Sequence, residues 1–242
     1  MTTTTPEYGL KELQLETTFG GMGKETEREI PLIDLSDFEN RRSEITDQLW
    51  QAATQVGFFQ LVNHGLDVKL VQSAFALSEA FFSLSNEQKA AFALKKGLNT
   101  GWEFMSQVRP STRTADQKES FQITLPHMDD RWPNQTVVPE FHRIMLDFEY
   151  RAWQLGMQVL SCFAERLGFE RDFFTKAHDR RPPDYQRTLR LLHHLAIPEE
   201  GQDESPWPAG PHTGFDMSLI LISEPPRPSL ISFPFFCMKQ KK

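Results

Sequence analysis

Cysteine is almost absent from this chain of 242 residues, and its two cysteines, Cys162 and Cys237, are too few for a disulfide framework. No apolar stretch approaches the roughly 20 residues that span a bilayer. The first residues, MTTTTPEYG, lack the basic region and apolar core of a secretory signal. These absences predict a protein of the reducing cytoplasm that has no membrane partner.

Positive charge is also scarce. Lys and Arg number 26 against 33 Asp and Glu, so the net charge is −7. This balance disfavours a nucleic-acid partner and leaves a small-molecule substrate open. The sequence has no CxxC zinc pattern, no glycine-rich phosphate loop and no Ser/His/Asp arrangement. Because 20 Phe stand against 3 Tyr, we expect a phenylalanine-rich core.

The pattern of apolar residues predicts both helices and strands. Ser85 with Gln88 three residues later predicts a capping box at the start of a short helix. After Ser223 the pattern has neither strand alternation nor a helical face, so we assign no element there. The predicted helices are 41–56, 67–82 and 140–168, and the predicted strands are 30–35, 57–62, 188–197 and 217–223.

One stretch, GFFQLVNHG at 57–65, is more specific than the rest. It resembles the N-terminal signature of the isopenicillin-N-synthase-like family of non-haem Fe(II) and mostly 2-oxoglutarate-dependent oxygenases. Three further segments are similar to that family in the right order, and the resemblance covers about 29–222. They are AFFSLSNEQK at 80–89, DQKESF at 116–121, and TLRLLHH at 188–194 followed by PHTGFD at 211–216.

The resemblance implies an α+β fold, with an N-terminal helical region and a partial double-stranded β-helix, or jelly roll. It also implies oxidation of a small organic molecule with Fe(II), O2 and 2-oxoglutarate. The predicted regions are a flexible arm at 1–28, the N-terminal region of the dioxygenase at 29–130, a long helix with the first part of the jelly roll at 131–223, and a tail unlike the family at 224–242.

The family holds its iron with two histidines and one carboxylate, the first two ligands coming from an H-x-D sequence. His212 matches the first ligand, whereas Gly214 stands at the acidic position and has no side chain to donate. Asp216 lies four residues from His212, roughly 13 Å along an extended strand, so it serves only if the chain turns sharply. Related halogenases fill a vacant acidic position with a halide, but they too need a second histidine, and none follows His212 in this sequence.

Other polar residues have weaker assignments. His194 stands where the family has a tyrosine that often contacts the co-substrate, so it is the candidate cofactor-binding residue. His193 and His194 face opposite sides of a strand and do not chelate one metal together. We expect His64 to be structural, and Asp116 and Glu119 to set a turn and a salt bridge.

We therefore expect a C-terminally truncated member of the family that is impaired or inactive. Two alternatives remain: a non-catalytic binding or regulatory protein that pairs with a full-length relative, and an isopenicillin-N-synthase-type oxidase that uses no keto acid. The second alternative needs the same missing histidine. Open sheet edges in a truncated chain also predict self-association.

Overall fold

The computed structural model describes residues 29–95, 97–106, 115, 117–181, 185 and 187–195, together with the backbone of 231–234. These residues form helices and two small sheets. The helices are α1 (Phe38–Gln55), α2 (Val68–Phe82), α3 (Asn86–Ala90), α4 (Phe141–Arg166) and α5 (Phe173–Ala177), with a 3-10 turn at Leu125–His127. The strands are β1 (Leu32–Asp34), β2 (Phe58–Val62), β3 (Gly101–Phe104), β4 (Lys118–Ile123), β5 (Leu189–His194) and β6 (Ile231–Pro234).

The first sheet has the order β1-β2-β6, with β1 parallel and β6 antiparallel to β2. Alternate residues of a strand face opposite sides, and here Ile33, Phe59 and Leu61 are buried. Leu32 and Phe58 lie on the other side and are about half exposed. The predicted signature strand therefore forms, and its apolar run supplies one buried face rather than two.

The second sheet has the antiparallel order β3-β4-β5. Its central strand, β4, is buried on both faces over most of its length. Strand β5 pairs with β4 from Leu189 opposite Ile123 to His194 opposite Lys118. This pairing brings the DQKESF and TLRLLHH segments side by side.

Strand β6 lies within 224–242, where the sequence pattern gave no element. Ile231–Pro234 pairs antiparallel with β2, and Pro234 lies opposite Phe58 at the end of the ladder. A proline lacks the backbone N–H, which is a small loss at a strand end. The backbone of β6 pairs with the edge of β2. This partner lies far away in the sequence, so no local pattern within 224–242 reveals the strand.

The buried core confirms the expected excess of phenylalanine. Helix α4 packs against α1, α2 and α5, and it carries two of the fully buried phenylalanines. The Phe81 ring lies 4.6 Å from the Phe121 ring and 5.7 Å from the Phe141 ring, measured between centroids. Aromatic packing thus joins α2, β4 and α4 at one point. Among the residues that the structure describes, the fully buried phenylalanines are Phe59, Phe81, Phe121, Phe141 and Phe163.

Most predicted elements are found near their predicted bounds. The helix predicted at 41–56 begins three residues earlier, at Phe38, and the long helix ends at Arg166 before Gly168, which has a φ of +81°. The mixture of helices and sheets agrees with the predicted class, while the partial jelly roll stays a prediction. The strand predicted at 217–223 lies outside the described residues.

None of the described helices combines the length and the apolar character needed to cross a membrane.

Phe81→Ala should lower the free energy of unfolding by about 3–5 kcal/mol, because it empties a fully buried site between two other rings. Urea unfolding measures the loss. Phe169→Ala is the matched control, since this ring is 46% exposed and its truncation should cost far less. Equal losses in the two variants would contradict the described core.

Candidate functional site

The second sheet has two chemically different faces. Glu119 and Phe121 of β4 share one face with Leu191 and His193 of β5, because these residues pair across the strands in register. Ser120 and Gln122 share the opposite face with Arg190 and Leu192. The remaining members of this second face are Glu103 of β3, Lys118 of β4 and His194 of β5.

A buried ion pair lies on the first face. The Lys89 ammonium is 2.7 Å from Glu119 Oε2, and the two side chains are 4% and 3% exposed. Helix α3 places Lys89 in its last turn, and the predicted capping box of Ser85 and Gln88 starts that helix. Lys89 also donates to the Phe82 carbonyl oxygen at 3.0 Å. The lysine thereby holds both the end of α2 and the centre of β4.

Two further donors complete the shell of Glu119. Trp102 Nε1 donates to Oε2 at 2.7 Å, and His193 Nδ1 bonds to Oε1 at 2.8 Å. The His193 ring also stacks on Phe82, with 5.4 Å between ring centroids. Burial raises the pKa of Glu119, but the hydrogen bonds from Lys89, His193 and Trp102 outweigh it and hold the pKa below its ordinary value.

A close backbone approach fixes the position of Trp102. Gly101 has a φ of +105°, and a Cβ there would lie 2.6 Å from the Phe92 carbonyl oxygen. With no side chain in the way, Trp102 N donates to Phe92 O at 2.7 Å and Leu94 N donates to Trp102 O at 2.8 Å. The chain leaving α3 is therefore tied to β3, and the indole points at Glu119.

The second face carries a polar network. Glu103 Oε1 accepts from Ser120 Oγ at 2.7 Å and from Gln122 Nε2 at 2.8 Å, and Glu103 Oε2 accepts from Ser106 Oγ at 2.6 Å. Gln122 Oε1 in turn accepts from Arg190 Nη2 at 2.9 Å. Ser120 and Gln122 are 1% and 2% exposed. Buried polar groups on this face are thus bonded to one another, and the network ends at an exposed arginine.

Several known proteins are similar in sequence to most of this chain. Residues 30–140 match the family described as "non-haem dioxygenase in morphine synthesis N-terminal". A 2-oxoglutarate-dependent dioxygenase of Didymella fabae is 31% identical over 202 residues, which are 75% of this chain and 60% of that protein. Proline hydroxylase buaE of Petromyces alliaceus is 26% identical over 211 residues, which are 81% of this chain and 65% of that protein.

Residues 30–140 thus match the N-terminal region of the non-haem dioxygenases, and the chain is similar over most of its length to 2-oxoglutarate-dependent dioxygenases. It spans 60–66% of the length of the first four curated relatives.

Solved structures agree on the fold. A full-length protein of Neurospora crassa, solved in complex with alpha-KG, has a TM-score of 0.70 and 21% identity, over 88% of this chain and 74% of that one. A 2OG-Fe(II) oxygenase family protein from Caulobacter crescentus has a TM-score of 0.66 and 23% identity, over 86% and 74%. This likeness agrees with the order of the segments recognised in the sequence.

The structure shows what two of the dioxygenase segments do. Lys89 comes from AFFSLSNEQK and Glu119 from DQKESF, and their side chains form the buried ion pair. The expectation that Glu119 makes a salt bridge is confirmed, and Asp116 lies outside the described residues. His64 Nδ1 accepts from Leu66 N at 3.2 Å, as expected for a structural residue. His193 stacks on Phe82 but is 48% exposed.

The residues predicted to bind iron and co-substrate are not brought together by the described part of the chain. His194 is exposed at the end of β5, and its contact with a co-substrate stays a prediction. His212, Gly214 and Asp216 lie outside the described residues. Within the described ranges no group of three His, Cys, Asp or Glu side chains is placed to hold a metal ion.

Sequence reasoning missed a second buried carboxylate. Glu149 of α4 accepts hydrogen bonds from Arg180 and, at 3.2 Å, from the Tyr185 hydroxyl. Burial raises the pKa of Glu149 and raises that of Tyr185 to about 12. One signal was available: Glu149 follows Met145 by four residues, so it falls on the buried stripe of a helix.

Removing the cation from the buried pair should destabilise the fold strongly. Lys89→Met leaves the Glu119 carboxylate buried without its ion-pair partner, and we expect a loss of about 3–5 kcal/mol in the free energy of unfolding. The double variant Lys89→Met/Glu119→Met should recover part of that loss in urea unfolding. A double variant with the full sum of two large losses would contradict an energetically coupled pair.

The contribution of Glu119 should depend on pH. Its pKa is lower in the folded protein than the ordinary value of 4.5, so this stabilisation is present above pH 4.5 and is lost as the pH falls through the folded value. The difference in unfolding free energy between wild type and Glu119→Gln should therefore shrink in acid. A difference that stays constant from neutral pH to well below 4.5 would show that the carboxylate is not the stabilising form.

Proposed function

We propose that this chain provides the substrate-side scaffold of an enzyme that oxidises a small organic molecule with Fe(II), O2 and 2-oxoglutarate. Its support is the Glu119 network, which fastens β5 by His193 and leaves Arg190, Leu192 and His194 on the opposite face. Iron with 2-oxoglutarate supplies oxidising chemistry when bound in this family. The residues of this chain would bind the organic substrate and orient it next to the iron.

The iron ligands that the sequence offers support an oxygenase activity that is reduced or lost. His212 matches one ligand, Gly214 replaces the carboxylate ligand, and no histidine lies between 213 and 242. Metal affinity at such a site comes from several ligands acting together, and a lone imidazole loses most of it. We therefore propose that the 242-residue chain, taken alone, is impaired or inactive as an oxygenase.

Isothermal titration calorimetry of the 242-residue chain with Fe(II) under nitrogen tests this proposal. We expect weak binding that changes little in His212→Ala. The control is His142→Ala, which removes an imidazole on α4 that stacks beside Trp132, outside both faces of the second sheet. A tight one-to-one complex that is lost in His212→Ala and kept in His142→Ala would contradict the proposal.

A gain-of-function variant tests the ligand count from the other side. Gly214→Asp restores the carboxylate of the H-x-D sequence but adds no second histidine. We expect no increase in succinate formation from 2-oxoglutarate over the wild-type chain. Succinate formation that rises in Gly214→Asp would reveal a third ligand elsewhere in the protein.

The glycine at the acidic position also favours a second candidate function. A chain that keeps the polar face but lacks a carboxylate ligand can bind a small molecule without oxidising it, as a regulatory partner of a full-length relative. Iron-dependent turnover of 2-oxoglutarate distinguishes the two functions, since only the enzyme consumes the keto acid.

A further inference from the structure

A groove between α4, α5 and the turn that follows α5 lies apart from the second sheet. It encloses about 510 Å³, which falls within the range of about 300–1,000 Å³ that is usual for small-molecule sites. None of the described residues that line it belongs to β3, β4 or β5. The groove is therefore separate from the polar face on which we place the substrate.

Two aromatic rings form one wall of the groove. Tyr150 and Trp153 are one turn apart on α4, and their rings stack with 6.0 Å between centroids and 18° between planes. Trp153 Nε1 donates to the His178 carbonyl oxygen at 3.3 Å, which ties this wall to the end of α5. The Tyr150 ring remains 40% exposed. The wall thus offers a fixed aromatic surface to an apolar ring.

Arg180 joins the aromatic wall to the protein interior. Its guanidinium carbon lies 4.9 Å from the centre of the Tyr150 ring and 5.7 Å from that of the Trp153 ring. Its Nη2 donates to the buried carboxylate of Glu149. Its Nε has no hydrogen-bond partner among the described residues, so Glu149 satisfies only part of the guanidinium. The buried carboxylate therefore holds a positive charge beside the two rings.

The rim of the groove has more free donors than free acceptors. Both oxygens of the Asp179 carboxylate already accept from Arg181, and these hydrogen bonds lower the pKa of Asp179 to about 2. Arg181 keeps its Nη1 donors, and Lys176, which bonds to Asp172 at 2.8 Å, keeps two of its three N–H groups. Exposed ion pairs contribute little stability, so either cation can turn to a ligand at small cost. The rim is therefore suited to a ligand that carries an anionic acceptor group.

We propose that this groove binds a small aromatic acid. The ring of the acid packs against Tyr150 and Trp153. Its carboxylate accepts charge-assisted hydrogen bonds from Lys176 and Arg181 at the rim. The groove is a second ligand site, and the inference does not rest on the proposed oxygenase function.

Binding of 2-naphthoate to the full 242-residue chain without iron tests the inference. Its neutral counterpart is 2-naphthamide, and its non-aromatic counterpart is decahydro-2-naphthoate. NMR titration is read on the indole Nε–Hε signals, and Trp153→Phe assigns the signal of Trp153. We expect the acid to shift this signal and to leave that of Trp102, which lies at Glu119, in place. The acid should bind about fivefold more tightly than either counterpart.

Exposed variants separate the two halves of the site. The double variant Lys176→Gln/Arg181→Gln should lower the affinity for 2-naphthoate to that for the amide. Tyr150→Leu should lower it to that for the non-aromatic acid. These three side chains are exposed, so the fold should survive their replacement. Arg151→Gln is the matched control, since this exposed arginine of α4 pairs with Asp147 and does not line the groove.

A shift confined to Trp153, with each preference lost in its own variant and both kept in Arg151→Gln, would support the inference. A Trp153 signal that does not move at millimolar probe, or a charge preference that survives the loss of both rim cations, would overturn it. An equal loss in Arg151→Gln would show a general effect of net charge instead of a site, and a shift of Trp102 would place the acid at the second sheet. Both results also count against the groove. Because no iron is present, failure of the oxygenase proposal would appear separately in the Fe(II) titration.

Discussion

The buried ion pair between Lys89 and Glu119 is the interaction on which the arrangement of the second sheet depends. Through Lys89 it holds α2 and α3, and through Trp102 and His193 it holds β3 and β5. These three side chains converge on one carboxylate that solvent hardly reaches. A buried charge is tolerated only when it is paired and hydrogen-bonded. Loss of any one of the three partners would therefore leave the Glu119 carboxylate incompletely satisfied. Helices and strands that are far apart in sequence are therefore held in fixed positions around this carboxylate.

The register of β5 against β4 decides which residues the opposite face presents. The side-chain period of a strand is two, so a slip of one residue in β5 would exchange the positions of His193 and His194. The hydrogen bond from Arg190 to the buried Gln122 opposes such a slip, because a leucine would then lie opposite Gln122 and its amide oxygen would lose this donor. Arg190, Leu192 and His194 consequently stay on the polar face. The first face with its buried ion pair and the polar second face are two consequences of one strand pairing.

The parts of this fold that the sequence predicts are those set by neighbouring residues. The capping box of Ser85 and Gln88, the helix over 141–166 and the strand at 58–62 all follow from local spacing and are found. Glu119 was expected to form a salt bridge, but its partner lies 30 residues away and no local pattern names it. Strand β6 was missed for the same reason, since its pairing with β2 joins segments about 170 residues apart. Spacing also gives no sign that Glu103 orients Gln122.

The contacts that hold the described fold together involve none of the predicted iron ligands. Many metal sites contribute folding energy because their ligands assemble only in the native state. Here the described core consists of phenylalanine packing among α2, β4 and α4, and the buried charge of Glu119 is satisfied by Lys89, Trp102 and His193. None of these residues is a predicted iron ligand. The described contacts that shape the polar face are therefore made by residues other than the predicted iron ligands.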